Sequence, residues 1–245
     1  SELDLVDENG ANYTIDSYIG GLASDETDLF VSKGSGNSTQ FLRIALQTGT
    51  VTPYTTVGDT NNFYVSYGID KVGDSLFAPS SNKIFEIKLS STTTSAETWT
   101  TRTSNTQKDL HGVAFGNDVF VTVGKDGKIF TSPDGITWTP QTSDVDKRLN
   151  GVTFANNKFV AVGGQGTLLT SPNGATWTVQ TSGTTNDLYK VNYGNNTYIA
   201  TGDTGTILTS ADGTTWTVQT SGTTKPLRGA TYGNNVFVVV GYDGT

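Results

Sequence analysis

One period recurs through this chain. Trp138, Trp177 and Trp216 stand at equal intervals, and Ser132, Ser171 and Ser210 keep the same interval, as do Gly127, Gly166, Gly205 and Gly244. One full unit, residues 151–189, reads GVTFANNKFVAVGGQGTLLTSPNGATWTVQTSGTTNDLY. Copies start at Gly112 and Lys190, and a partial copy starts at Gly229. Repetition in strict register restricts the chain to architectures in which one small unit packs on the next.

Each unit reads as four short strands, near residues 152–154, 159–162, 167–170 and 176–181. Asn156-Asn157 predicts a two-residue hairpin turn, because Asn tolerates the positive φ such turns demand. Residues 163–166 turn the chain again, and Pro172-Asn173-Gly174 is a third turn signal. The second strand is apolar at successive positions, as in Phe120-Val121-Thr122-Val123 and Phe237-Val238-Val239-Val240. That pattern fits a sheet covered on both faces, whereas a one-sided sheet alternates. Four antiparallel strands in a unit of this length point to a β-propeller blade. A β-helix has a shorter coil, and a sandwich does not repeat in sequence.

The earlier residues carry a weaker form of the pattern. Trp99 stands one period before Trp138, with Ser75-Leu76-Phe77-Ala78 and Lys83-Ile84-Phe85 ahead of it. Leu29-Phe30-Val31, Phe41-Leu42-Arg43-Ile44 and residues 51–57 outline another unit. The expectation is one all-β domain, 1–245, a six-bladed β-propeller of four-stranded antiparallel blades. Five blades fall near 19–60, 61–104, 110–143, 149–182 and 188–221. The sixth combines 227–245 with 1–17, since residues 5–15 align with 169–179 and supply its third and fourth strands. Such sharing closes the ring through backbone hydrogen bonds.

The turn Ser132-Pro133-Asp134-Gly135-Ile136-Thr137-Trp138 resembles the Asp-box (BNR repeat) of sialidase-like propellers, as found in bacterial surface and phage proteins. Ser210 to Trp216 matches it with Asp212, and Ser171 to Trp177 matches with Asn173 in the acid's place. The resemblance is specific over 110–245 and faint before. These boxes are one residue shorter between Ser and Trp than the common form. The resemblance implies a fold element away from the active face, and the chemistry agrees: an Asp in a turn accepts local N–H bonds while a Trp covers it. Ser132, Asp134, Trp138, Ser171, Asn173, Trp177, Ser210, Asp212 and Trp216 are therefore read as structural.

Composition narrows function by exclusion. The chain has no Cys, no Met and one His, His111. Thiolate metal sites, thiol nucleophiles, disulfide scaffolds and multi-histidine metal centres are excluded, and no cofactor or metal is expected. The net charge of −8 argues against nucleic acid and anionic membranes as partners. No apolar run approaches the roughly 20 residues of a membrane span, and no signal peptide is recognised at Ser1. The acids before Lys33 form no spaced metal-ligand loop and are read as a solubilising surface.

Copies diverge sharply at a few loop positions while their strands stay alike. The turns after the second strand carry Lys125-Asp126, Gly164-Gln165, Asp203-Thr204 and Tyr242-Asp243. After the leucine that opens each first strand come His111, Asn150, Tyr189 and Arg228. Both sets belong to one face of the ring, opposite the Asp-box turns, and Lys125, Asp126, Gln165, Asp203, Tyr242, Asp243, His111, Asn150, Tyr189 and Arg228 are the candidate ligand contacts. The leading expectation is a non-catalytic recognition or structural module. It would display these loops to a glycan or protein receptor, or to other subunits, at a virion or bacterial cell surface.

Two rivals follow. The first is a sialidase-like glycoside hydrolase with Asp126, Asp203 and Asp243 near the axis. Against it, the resemblance implies an arginine cluster and a tyrosine–glutamate pair, whereas the chain has only Arg43, Arg102, Arg148 and Arg228, and no glutamate after Glu97. The second is a protein-binding assembly factor resembling the photosystem-assembly propellers, a family that usually has seven blades and an arginine patch.

Overall fold

The computed structural model describes residues 18–24, 28–35, 38–45, 51–54, 70–72, 75–80, 83–88 and 100–242. The first sheet holds β1 (Tyr18–Ser24), β2 (Asp28–Ser35), β3 (Ser38–Ala45) and β4 (Val51–Tyr54). The second holds β5 (Asp70–Val72), β6 (Ser75–Ser80), β7 (Lys83–Lys88) and β8 (Thr100–Thr103). The third holds β9 (Leu110–Gly116), β10 (Val119–Gly124), β11 (Ile129–Ser132) and β12 (Thr139–Gln141). The fourth holds β13 (Leu149–Ala155), β14 (Lys158–Gly163), β15 (Leu168–Ser171) and β16 (Thr178–Gln180). The fifth holds β17 (Leu188–Gly194), β18 (Thr197–Gly202), β19 (Ile207–Ser210) and β20 (Thr217–Gln219). A sixth has two strands among the described residues, β21 (Leu227–Gly233) and β22 (Val236–Gly241). Every strand pairs antiparallel with its sequence neighbour within its sheet.

Local chemistry sets these sheets. Asn156 and Asn157 sit at φ 47° and 56°, and the pairs Asn195-Asn196 and Asn234-Asn235 do likewise. Two successive left-handed residues match the right-handed twist of the flanking strands, so the hairpin closes in two residues. The fourth strand is shorter than the 176–181 expected from sequence. Its first residues belong instead to the preceding turn, where the Thr176 N–H donates to Asn173 Oδ1 at 3.0 Å. The first strand is longer than expected, because it begins at Leu149 and carries a bulge before Gly151.

The core lies between successive sheets. Side chains of β14 alternate between two neighbours. Phe159 and Ala161 join Val121, Val123 and Trp177 on one side, while Val160 and Val162 join Leu188, Val191 and Tyr198 on the other. All four β14 residues are fully buried, which accounts for the continuous apolar run. Tilted aromatic stacks repeat the arrangement. Phe154 and Phe159 lie 4.7 Å apart and Phe159 and Trp177 6.5 Å; Tyr193, Tyr198 and Trp216 keep 4.6 and 6.3 Å. Aromatic pairs at such separations are worth about 0.5–1.5 kcal/mol beyond area burial.

First strands of neighbouring sheets run side by side. Asn150 Nδ2 donates to the Leu188 carbonyl at 2.7 Å, and Asn192 Nδ2 to the Ala230 carbonyl at 3.0 Å. A Cβ on Gly112 would lie 3.1 Å from Val152 N, and one on Gly151 3.1 Å from Tyr189 O. The glycine opening each of these units therefore reflects close approach of backbones. Fourth strands form the other edge, where Val179 and Val218 are exposed. The expected closure of the sixth sheet falls on residues 1–17 and lies outside the described residues, as do Trp99, Asp243 and Gly244.

Candidate functional site

The Asp-box turns join third to fourth strands. In the first, Asp134 Oδ1 accepts bonds from the Ile136 and Thr137 N–H groups, both at 2.8 Å, and from Ser132 Oγ at 2.9 Å. These donors hold the Asp134 carboxyl down to about 2. Asp212 repeats the pattern with Thr214, Thr215 and Ser210, and its carboxyl is lowered for the same reason. Asn173 accepts from Ala175 and Thr176 at 3.0 Å, with the Ser171 hydroxyl at 3.3 Å. Each indole closes its turn: Trp138, Trp177 and Trp216 donate Nε1 to the carbonyls of Gly135, Gly174 and Gly213 at 2.8–3.1 Å. The turns lean on the preceding sheet, where Lys158 Nζ reaches the Asp212 carbonyl at 2.7 Å. The Oδ1 atoms of Asp134, Asn173 and Asp212 and the three indole N–H groups are engaged within the turn.

The other end of the sheets carries the variable positions. Turns between second and third strands are single tight loops with Asp126, Gln165 and Thr204 at φ 53–56° and Gly127, Gly166 and Gly205 at φ 66–69°. Each is tied to the segment that enters the same sheet. The N–H groups of Lys125, Gly164, Asp203 and Tyr242 donate to the carbonyls of Asp109, Arg148, Asp187 and Pro226 at 2.8–3.1 Å. Turn and entering loop thus share one face.

The bulges decide what this face presents. In the first strands of the third to sixth sheets the register slips at one residue: His111, Asn150, Tyr189 and Arg228 are the residues skipped. A bulge re-aims the side chain of the extra residue. Four divergent side chains therefore leave the ladder at equivalent places on four adjacent inner strands. His111 Nδ1 lies 3.5 Å from Asn150 Oδ1. The Arg228 guanidinium carbon lies 3.6 Å from the Tyr189 ring centre and 4.8 Å from that of Tyr242. Burial pushes the His111 imidazole below its ordinary value, and burial pushes the Tyr189 phenol up.

The remaining candidates separate from this row. Asp126 forms an ion pair with Lys108 at 2.7 Å, and both are nearly half exposed. The Lys108 ammonium lowers the Asp126 carboxyl, the direction opposite to that of a general acid. Asp187 bridges two elements: Oδ1 accepts the Gln165 N–H at 2.8 Å, and Oδ2 pairs with Arg148 at 3.3 Å. Asp203 accepts the Thr206 hydroxyl on its backbone carbonyl at 2.6 Å. Asn150 is 2% exposed and commits its amide to Leu188, so it supports the row from beneath. Sequence reasoning missed Lys108 and Asp187. Asp187 had a signal, since it follows Arg148 by one full period and so occupies the same place on the next sheet. Among the described residues no group of three or more His, Asp or Glu side chains is placed to hold a metal ion.

A family model described as the DUF6242 beta propeller domain matches residues 73–188. These residues match a β-propeller domain. No curated protein matches it. Among solved structures, it is similar to YCF48 bound to D1 peptide, with a TM-score of 0.64, 14% identity, and coverage of 95% of this chain and 78% of that one. It is also similar to YCF48 from Cyanidioschyzon merolae, with a TM-score of 0.65, 12% identity, and coverage of 95% and 82%. A chain of the nidogen/laminin complex gives a TM-score of 0.60 and 18% identity, with coverage of 79% and 75%. At such identities the likeness is one of fold. The family description that matches names a propeller domain and does not name the Asp-box repeat that the turns resemble.

Proposed function

We propose that this propeller is a non-catalytic binding module that engages a polypeptide through the face carrying the second-to-third strand turns. The observation that carries this reading is the row of bulged side chains. His111, Asn150, Tyr189 and Arg228 differ in chemistry but occupy equivalent places, and Arg228 and Tyr189 are in contact. A surface whose copies diverge while its scaffold stays constant is suited to recognition. Tyr and Arg are the side chains that most often anchor a protein partner. Two structural neighbours support the partner class, since one is YCF48 bound to D1 peptide and another belongs to the nidogen/laminin complex.

The test is selection of displayed random peptides on the whole chain, run beside a glycan array. Enriched peptides that lose binding to Tyr189→Ala or Tyr242→Ala support the reading. Binding indifferent to both substitutions removes the face, and glycans without peptides change the partner class.

The module also needs a complete ring. We propose six blades, with residues 1–17 supplying the outer half of the sixth. The alignment puts Leu5 where Leu169 stands, and Leu169 pairs with Ala161, whose counterpart is Val239. A Leu5→Cys/Val239→Cys variant is expected to form an intramolecular disulfide on mild oxidation; failure to crosslink would refute this pairing.

A further inference from the structure

Arg228 is held unusually for a surface arginine. Its guanidinium carbon lies over both the Tyr189 and Tyr242 rings, 3.6 and 4.8 Å from their centres. Among the described residues its buried Nε meets no acceptor. Among the described residues no carboxylate pairs with it, although Arg102, Lys108 and Arg148 each pair with one. Ring stacking fixes the plane of a guanidinium and leaves the in-plane N–H fork to be satisfied. That fork matches a carboxylate or phosphate in a bidentate manner.

Charge around Arg228 selects between the two anions. The carboxylates of Asp203 and Asp187 lie near enough to act on the Tyr189 phenol, as do Arg228 and Arg148. Asp187 is already paired with Arg148. A phosphate carrying nearly two negative charges would face both acids against one unpaired arginine, whereas a single carboxylate balances Arg228 alone. We infer that Arg228, held against the Tyr189 and Tyr242 rings, is the receptor for one carboxylate of the polypeptide partner, an assignment that rests on the binding role proposed for this face. The carboxylate is either an acidic side chain or a chain terminus.

The experiment follows the arginine Nε–Hε resonances of the 15N-labelled whole chain, whose arginines are Arg43, Arg102, Arg148 and Arg228. The probes are N-acetyl-Gly-Glu-Gly-amide, N-acetyl-Gly-Gln-Gly-amide, N-acetyl-triglycine with a free terminus, and inorganic phosphate. The Arg228 resonance, identified by its loss in Arg228→Gln, is expected to move saturably with one or both carboxylate peptides. It should stay put with the Gln peptide. Which carboxylate peptide acts tells side chain from terminus. Affinity read on the Tyr189 amide should fall at least about tenfold in Arg228→Gln, the loss expected for a charge-assisted pair. Arg228→Lys, which keeps the charge but not the fork, replaces it should Arg228→Gln unfold, and should also weaken binding. Equal shifts from the Gln peptide, tighter binding of phosphate, silence from every probe, or undiminished binding in the variants would each overturn the assignment. A display-selected peptide that loses binding to Tyr189→Ala but not to Arg228→Gln would refute the carboxylate receptor and leave the binding face standing. Failure to select any peptide would instead strike the binding reading.

Discussion

The side-chain amide of Asn150 donates to the backbone carbonyl of Leu188 at 2.7 Å and so joins the first strands of two sheets. The bond exists because Asn150 is a bulged residue, excluded from its own ladder and turned toward the neighbour. Removal leaves a buried carbonyl without a donor. Asn150→Ala should therefore cost about 1–3 kcal/mol in urea unfolding. A change within a few tenths of a kcal/mol would show that water replaces the amide.

The Asp-box turns should respond to acid unequally. Asp134 titrates near about 2 when folded, against 3.8 for an ordinary Asp side chain. The depressed folded value means that its contribution is present above about 4 and is lost as pH falls toward 2. Asn173 accepts the same two backbone bonds and carries no titratable group. Asp134→Asn should keep the turn and flatten this part of the acid limb, whereas Asp134→Ala should lose the turn at every pH. Melting temperature between about pH 2 and 6 distinguishes the three chains. A wild-type limb matching that of Asp134→Asn would sink the claim.

His111 gives a second, separate window. Burial lowers its folded value below the ordinary 6.5, so the unfolded chain takes up the proton first. Stability present above about 6.5 is then lost as pH falls below it. As the chain has one histidine, its imidazole carbon-bound protons report the titration directly. A folded midpoint at or above 6.5 would contradict the burial account, and His111→Asn should remove the loss.

Two glycines separate backbone strain from crowding. Gly166 has φ +69°, and a Cβ there would lie 2.0 Å from the Thr184 carbonyl. Gly222 has φ +76° with nothing within 4 Å. Gly222→Ala should cost about 1–2 kcal/mol, the left-handed penalty alone. Gly166→Ala should cost more, because the carbonyl must also move. Equal losses by denaturant unfolding would mean that the loop yields freely.

Core position should dominate side-chain identity. Phe159 is fully buried between sheets while Val179 is 57% exposed on an outer strand. Phe159→Ala should cost about 3–5 kcal/mol, and Val179→Ala should stay within about 0.5 kcal/mol. A large loss at Val179 would indicate that another surface covers the outer strands.

What can be read along the chain is local. Asn156-Asn157 announces a hairpin because two left-handed residues are a demand of that turn. The run from Phe159 to Val162 announces a doubly covered strand because burial on both faces removes the alternation. The repeat carries the order of the sheets, and the divergent positions mark one face of them. Contacts between sheets obey no such local rule. The bulges that turn His111, Asn150, Tyr189 and Arg228 out of their ladders show only in the register of each first strand against the second. Asn150 reads as a ligand contact along the chain, yet burial and the Leu188 carbonyl consume its amide. The period of the repeat sets Asp187 one unit after Arg148, but its bond to the Gln165 N–H, 22 residues away, follows no repeat and is seen only in the folded chain. Arg228 meets both Tyr189 and Tyr242 because one belongs to the neighbouring sheet and the other to the turn of its own. The chain thus spells out the repeat and its turns, whose causes lie within a few residues; the packing of sheet on sheet assembles the face, whose causes lie tens of residues apart.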